Sequence, residues 1–301
     1  MRHYIRFLFN CLVLGILLLP LNLQVNAQEI SEKDGESKFI DKVGESTVQL
    51  VKGNNSLVIG YGFFVERDKI ATNFQVVANL INGPIFVRYG QQETTWTVEG
   101  VAAFDIKNEI VILKIAGIGT PLTFGNSDTL NIGDNVYVVG YHNPQEKFEG
   151  TVGTVEHIRK NDNWIQTTIQ TYMKNSGAPV LNSKGEVIGI HMGSFLDTTP
   201  QVIPKKLGED KPYNTYPSNA LKPLLSVSTS SEPLEEWMKR EPVRAYNHYK
   251  LGQMYYYSGF YGRASDQFDI SVKLNPEHFE TYIYRAQSNI FQEQTKKPIS
   301  D

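Results

Sequence analysis

One short segment of the chain carries residue types that could act as a nucleophile. Ser176 stands between Asn175 and Gly177 in the run Lys174–Val180, KNSGAPV. A serine hydroxyl is a poor nucleophile until a neighbouring base accepts its proton. If Ser176 does chemistry, that chemistry therefore depends on a base supplied by another part of the chain.

Histidine is the most common base that activates a serine. No histidine of this chain is recognisable from the sequence as the base for Ser176. Five follow the N-terminal segment: His142, His157, His191, His248 and His278. We interpret them as ordinary surface or strand histidines, and a relocated base is the alternative. Neither the His and carboxylate spacing of a metal site nor a phosphate-binding glycine loop occurs. The sequence therefore predicts no metal and no cofactor.

Composition narrows the classes of protein. The chain of 301 residues is 41% hydrophobic and 20% charged, which is typical of globular proteins and allows about two domains. The formal net charge of -3 provides no strong basic field. Nucleic acid is therefore not a predicted partner.

The first 27 residues have the order of a secretory signal peptide. Arg2 and Arg6 precede an apolar run over 7–23, and small residues end the segment at Ala27. An uncleaved membrane anchor is the alternative. Cleavage would remove Cys11, the only cysteine, so the mature chain would have neither disulfides nor thiol chemistry. We expect an exported protein, periplasmic or secreted, without membrane contact after cleavage.

The elements that must position Ser176 change character along the chain. From about residue 39 to 190, short β-rich runs alternate with Gly, Asn and Asp turns, which favours a barrel or sandwich. Examples are Ser46–Val51, Leu57–Val65, Ile85–Tyr89, Ile110–Ile115, Asn135–Val139, Trp164–Thr168 and Val187–His191. From Ala245 onward the apolar spacing is helical.

The Ser176 run resembles the nucleophile loop of trypsin-like serine peptidases, especially the Deg/HtrA-like branch, where Gly-Asn-Ser-Gly-Gly-Pro precedes a Val-Ile-Gly-Ile strand. Further segments resemble the same family in the same order: Gly60–Val65, Ile70–Val77, Asp105–Lys114 and Tyr216–Asn219. The resemblance covers about 39–225. It implies a mainly β fold of two antiparallel β-barrels with the site between them.

The family resemblance also implies catalytic roles, and here the chain departs from the pattern. Ser176 matches the nucleophile, but Gln75 stands where the family has the base His, and Glu109 stands where it has the orienting Asp. The oxyanion hole would use the amides of Ser176 and Lys174, the latter replacing a glycine. His191 falls where the family binds substrate. A Gln amide has no useful basicity, so we expect the degenerate triad to be inactive.

The C-terminal region, Ala245–His278, resembles one tetratricopeptide (TPR) repeat, with Phe279–Gln292 resembling the first helix of another. Gly252 and Ala264 would let the two helices of the repeat approach closely. A generic helical hairpin is the alternative. One and a half repeats cannot bury much core, so the helices are expected to pack on the β domain or on a second copy of the chain.

The sequence thus predicts a signal peptide (1–27), a leader (28–38), a trypsin-like domain (39–227), a linker (228–243) and a TPR-like α-helical hairpin region (244–295). The expected function is non-catalytic binding of a peptide or unfolded protein segment. The TPR helices would add a protein partner or self-association. The alternative is a serine endopeptidase that acts through Ser176 with an altered base.

Overall fold

A computed structural model describes residues 39–53, 57–78, 84–89, 94–141, 148–159, 164–169, 175–193, 213–226 and 230–296. The predicted signal peptide and leader lie outside these residues. The chain divides into two units, 1–42 and 43–301, and both barrels belong to the second. A short helix, α1 (39–44), precedes the first strand.

Six antiparallel strands close the first barrel in the order β1-β2-β3-β6-β5-β4, with β4 paired back to β1. Their inward side chains are aliphatic and aromatic; Leu50, Phe64 and Leu113 are fully buried. The strands are β1 (Thr47–Lys52), β2 (Leu57–Glu66), β3 (Lys69–Asn73), β4 (Ile85–Tyr89), β5 (Thr94–Asp105) and β6 (Ile110–Ile115).

The second barrel closes in the order β10-β11-β12-β9-β8-β7, with β10 paired to β7. Its strands are β7 (Asn135–Tyr141), β8 (Phe148–Arg159), β9 (Trp164–Thr167), β10 (Pro179–Leu181), β11 (Val187–Met192) and β12 (Tyr213–Pro217). Two closed antiparallel barrels followed by helices confirm the predicted fold class.

The helices after α1 are α2 (Phe74–Ala78), α3 (Lys222–Leu225), α4 (Leu234–Lys239), α5 (Glu241–Tyr257), α6 (Tyr261–Leu274) and α7 (Phe279–Lys296). None of the helices in the described ranges is long and apolar enough to cross a membrane. The helices α5 and α6 approach closely at Gly252, where an added Cβ would lie 2.5 Å from the Phe268 ring.

The segment predicted as a linker is partly helical. It contains α4 and the start of α5. Helix α4 packs on the first barrel through Trp237, which is fully buried against Phe74 and Phe104, with ring centroids 5.1 and 5.6 Å away. Before α4, Glu232 pairs with Val101 of β5 through two backbone hydrogen bonds of 2.8 and 2.9 Å. The segment after 230 is therefore attached to the first barrel.

Among the described residues, apolar clusters form the core of each barrel. One continues from the first barrel into the helices and includes Phe64, Phe74, Trp237, Tyr246 and Phe268. The other fills the second barrel, and Tyr61 of β2 contributes to it. The C-terminal helices were expected to pack on the β domain or on a second copy of the chain. The structure shows them packed on the β domain of the same chain.

Candidate active site

The turn that carries Ser176 is held by backbone geometry. Gly177 has a φ of +87°, which a residue with a Cβ adopts only with strain, and a Cβ there would lie 2.1 Å from the Tyr61 carbonyl oxygen. The Tyr61 amide donates to the Ser176 carbonyl at 2.8 Å. Strand β2 of the first barrel thus fixes the turn that leads into β10 of the second.

Three N–H groups converge on the Ser176 hydroxyl oxygen. Asn73 Nδ2 donates to it at 2.5 Å, Gln75 Nε2 at 2.6 Å and the Gly193 amide at 3.3 Å. Ser176 is only 3% exposed. The structure therefore brings Ser176 and Gln75 into direct contact between the two barrels, with the serine oxygen as the acceptor. Their catalytic roles stay predictions.

A second contact orients the Gln75 amide. Its Nε2 also donates to the Gly193 carbonyl at 3.3 Å, so the N–H side faces Ser176. Its Oε1 is buried and has no hydrogen-bond partner among the described residues. A carboxamide in this orientation supplies hydrogen atoms to the serine oxygen and takes none from it.

Asn73 is a site residue that the sequence reasoning missed. Its Oδ1 accepts the Val76 amide at 3.1 Å and so begins helix α2, while its Nδ2 reaches both Ser176 and the His191 carbonyl. The signal was present in the spacing, because Asn73 stands two residues before Gln75 at the end of β3. A side chain there faces the same seam between the barrels.

Glu109 is the turn residue just before β6, and its φ of 51° is a left-handed backbone conformation that is uncommon for a residue with a Cβ. Its carbonyl accepts the Phe74 amide at 2.7 Å, which places it beside the helix that carries Gln75. Its carboxylate is buried and forms an ion pair with Lys250 of α5, Oε1 to Nζ 2.6 Å. The orienting role predicted for Glu109 stays a prediction. The sequence reasoning did not include Lys250.

Tyrosines surround this carboxylate. Burial raises the pKa of Tyr246 and of Tyr216 well above the ordinary value, and the negative charge of Glu109 raises both further. Both phenols therefore remain neutral at physiological pH, and the charges in this cluster are those of Glu109 and Lys250.

His191 lies on β11 beside the nucleophile turn. Its carbonyl accepts the Gly177 amide at 2.9 Å, and its amide donates to the Ala178 carbonyl at 2.9 Å. Its side chain is fully buried, and burial lowers the pKa of the imidazole from 6.5 to about 4. The imidazole is therefore neutral at physiological pH. Its predicted role in substrate binding stays a prediction.

Lys174, which was predicted to form the oxyanion hole with Ser176, lies outside the described residues, as does His142. Within the described ranges, no group of three or more His, Asp or Glu side chains is arranged to hold a metal ion. The described part of the site consists of Ser176, Gln75, Asn73 and the Glu109–Lys250 pair.

Comparison with known proteins agrees with this geometry. Residues 60–190 match the family model of the trypsin-like peptidase domain. The chain is also similar to proteins described as "probable periplasmic serine endoprotease DegP-like". The Chlamydia trachomatis relative is 35% identical over 144 residues, covering 44% of this chain and 28% of that protein. The Pseudomonas putida relative is 29% identical over 144 residues, covering 46% and 29%.

Among solved structures, the crystal structure of Deg5 matches with a TM-score of 0.50 and 21% identity, covering 64% of this chain and 92% of that one. At this identity the likeness shows the fold alone. The chain spans less than a third of the length of the curated relatives it matches. Together the matches show that residues 60–190 are similar to a trypsin-like peptidase domain and that part of the chain is similar to proteins described as DegP-like periplasmic serine endoproteases.

Proposed function

We propose that the chain is an exported, non-catalytic homologue of trypsin-like peptidases that binds peptide or unfolded protein segments. The observation that carries this proposal is the direction of the hydrogen bond between Gln75 and Ser176. A general base must accept the serine proton, whereas the Gln75 amide donates to the serine oxygen at 2.6 Å. The site is therefore arranged to hold the hydroxyl in place.

The second support is the number of donors on that oxygen. A hydroxyl oxygen has two acceptor lone pairs, and here the amides of Asn73 and Gln75 take both at 2.5 and 2.6 Å. Nucleophilic attack needs one of these lone pairs free. In another peptidase, loss of the serine or histidine reduces turnover by about 10⁶, and only about 10³–10⁴ over water remains.

A serine endopeptidase with an altered base is the second candidate. It is favoured by the retained Ser176 on its Gly177 turn and by the endoprotease description of the relatives. The predicted signal peptide and the periplasmic description of the relatives support export in either case. The proposed partners are peptides or proteins, because a peptidase-like fold without a base at position 75 could still bind such chains without cleaving them.

Hydrolysis is tested with a fluorophosphonate probe and with cleavage of unfolded casein. The wild type and Ser176→Ala are expected to be equally unlabelled and equally inactive. We expect Gln75→His alone to add little, and Gln75→His with Lys174→Gly to give measurable cleavage, because one missing oxyanion donor costs about 10²–10³ in rate. Labelling of the wild type that is lost in Ser176→Ala would establish the endopeptidase instead.

Binding is tested separately by fluorescence anisotropy with labelled casein. Ser176→Ala should bind within about twofold of the wild type, because the proposed function does not use the hydroxyl as a nucleophile. Hydrogen-exchange mass spectrometry then locates the bound segment, with protection expected in 175–193. Protection confined to the helices after 241, or absence of binding, would contradict the proposed peptide site.

A further inference from the structure

The helix that carries Gln75 is covered by the C-terminal helices. Phe74, the residue before Gln75, is fully buried, and its ring centroid lies 4.5 Å from that of Tyr246 and 5.1 Å from that of Trp237. Both partners come from α4 and α5, more than 150 residues later in the chain. The C-terminal helices therefore pack against the helix that carries Gln75.

Lys250 extends from α5 into the first barrel. It is 8% exposed, and its ammonium lies 2.6 Å from Glu109 and 5.2 Å from the centre of the Tyr246 ring. A buried ammonium and a buried carboxylate are each costly without a partner. Removal of either charge therefore leaves the other buried and uncompensated.

This pair changes the electrostatics of the acid position. In a Ser-His-Asp triad the carboxylate orients the imidazole and stabilises the imidazolium that forms during the reaction. Here a permanent cation already faces the carboxylate. The other groups close to Glu109 are Tyr216 of β12 and Tyr246 and Tyr249 of α5, all with pKa values raised by burial and therefore neutral.

We propose that Lys250 is a positioning residue that neutralises Glu109, so that the C-terminal helices lower the basicity of any imidazole placed at position 75. Resting on the proposed non-catalytic function, this adds a second barrier to activity besides the missing histidine. It also makes the helices a part of the site, because their detachment would release the carboxylate.

The test introduces an imidazole as a reporter of the charge behind position 75. Gln75→His, Gln75→His/Lys250→Met and Gln75→His/Lys250→Arg are titrated by NMR through the ring proton of the new histidine. Because a free carboxylate stabilises imidazolium, its pKa should be higher with Lys250→Met by about one to three units than in Gln75→His alone. Lys250→Arg, which keeps the cation, should restore the low value.

Gln75→His/Lys239→Met is the matched control, since Lys239 is an exposed α4 lysine paired with Glu236. Its titration should equal that of Gln75→His. The same imidazole pKa with methionine and with lysine at position 250 would overturn the proposal. This readout needs no hydrolysis, so its failure is distinct from labelling of the wild type by fluorophosphonate, which would refute the proposed function.

Thermal unfolding of the full chain tests the ion pair independently, including the case in which Lys250→Met disturbs folding. Lys250→Met should lower the Tm by about 5–15 °C, because it leaves Glu109 unpaired. Adding Glu109→Gln to Lys250→Met should restore at least half of that loss. Additive losses in the double variant would show that the two charges are not partners.

Discussion

The two barrels contribute to the site in different ways. The second barrel supplies the Ser176 turn, which is held by a left-handed glycine and by backbone contacts to β2. The first barrel supplies Gln75 and Glu109, and the C-terminal helices add Lys250. Backbone geometry therefore defines one side of the site, while the other side presents an amide donor and a buried ion pair.

This difference shows that the Ser176 turn has a structural role that does not depend on hydrolysis. The turn also joins the barrels, because the Ser176 carbonyl accepts the Tyr61 amide and the Ser176 hydroxyl accepts the side chains of Asn73 and Gln75. Ser176 is therefore useful as a structural acceptor. The amide at position 75 satisfies the serine oxygen as a donor.

The strongest test of the second-barrel side is Gly177→Ala. The added Cβ would meet the Tyr61 carbonyl oxygen at 2.1 Å and Thr72 Oγ1 at 2.4 Å, at a φ of +87°. We expect a loss of more than about 4 kcal/mol in the free energy of unfolding, measured by chemical denaturation. Gly133→Ala, at a φ of +92° with no atom within 4 Å of the new Cβ, is the control and should cost about 1 kcal/mol. Equal losses would mean that the turn does not need its close contact with β2.

The corresponding test on the first barrel is Trp237→Ala. Trp237 is fully buried between Phe74 and Phe104, so its removal leaves a cavity between α4 and the barrel. The expected loss in denaturation experiments is about 3–4 kcal/mol. Ile132→Ala, at a side chain 68% exposed, should change stability by less than about 0.5 kcal/mol. A similarly small effect of Trp237→Ala would show that packing of α4 on the first barrel contributes little to stability.

The pH dependence of stability tests the environment of His191. Its folded pKa is about 4, below the unfolded value of 6.5, so the unfolded chain binds a proton that the folded chain does not. The stabilising contribution is complete above pH 6.5 and decreases by about 3 kcal/mol as the pH falls to about 4. The stability difference between the wild type and His191→Gln should therefore shrink over this range. Parallel curves for the two proteins would contradict the burial of a neutral imidazole.

The smallest expected effect belongs to Gln75→Leu. The change removes one hydrogen bond to Ser176 but also removes Oε1, a buried oxygen without a partner among the described residues. Because these terms oppose each other, the unfolding free energy should change by about 1 kcal/mol or less.

Asn73→Ala is the matched comparison for Gln75→Leu. It removes the N-terminal cap of α2 and the contacts to Ser176 and to the His191 carbonyl, and should cost about 2–3 kcal/mol. A larger loss for Gln75→Leu than for Asn73→Ala would mean that Gln75 contributes more than Asn73 to stability at the contact with Ser176.

The sequence by itself determined the order of the elements and the chemical types at the site. The runs Ile85–Tyr89 and Ile110–Ile115 are strands with those bounds, because alternating or continuous β-branched residues between turn residues favour little else. Ser176 before a glycine and a carboxamide at position 75 were likewise visible from residue identities. No tertiary information is needed to know that a carboxamide is not a base.

The tertiary structure alone decided the partners and the direction of each contact. The amide of Gln75 has a donor side and an acceptor side, and only the Gly193 carbonyl determines which one faces Ser176. Lys250 is a charged residue among the buried tyrosines of α5. The sequence shows this exception to the apolar face of the helix, but it does not show which residue pairs with Lys250. That partner, Glu109, comes from the turn between β5 and β6 of the first barrel. Such a pairing depends on how α5 docks, and docking is determined by the packing of Trp237 and Tyr246 around Phe74, which no local pattern encodes.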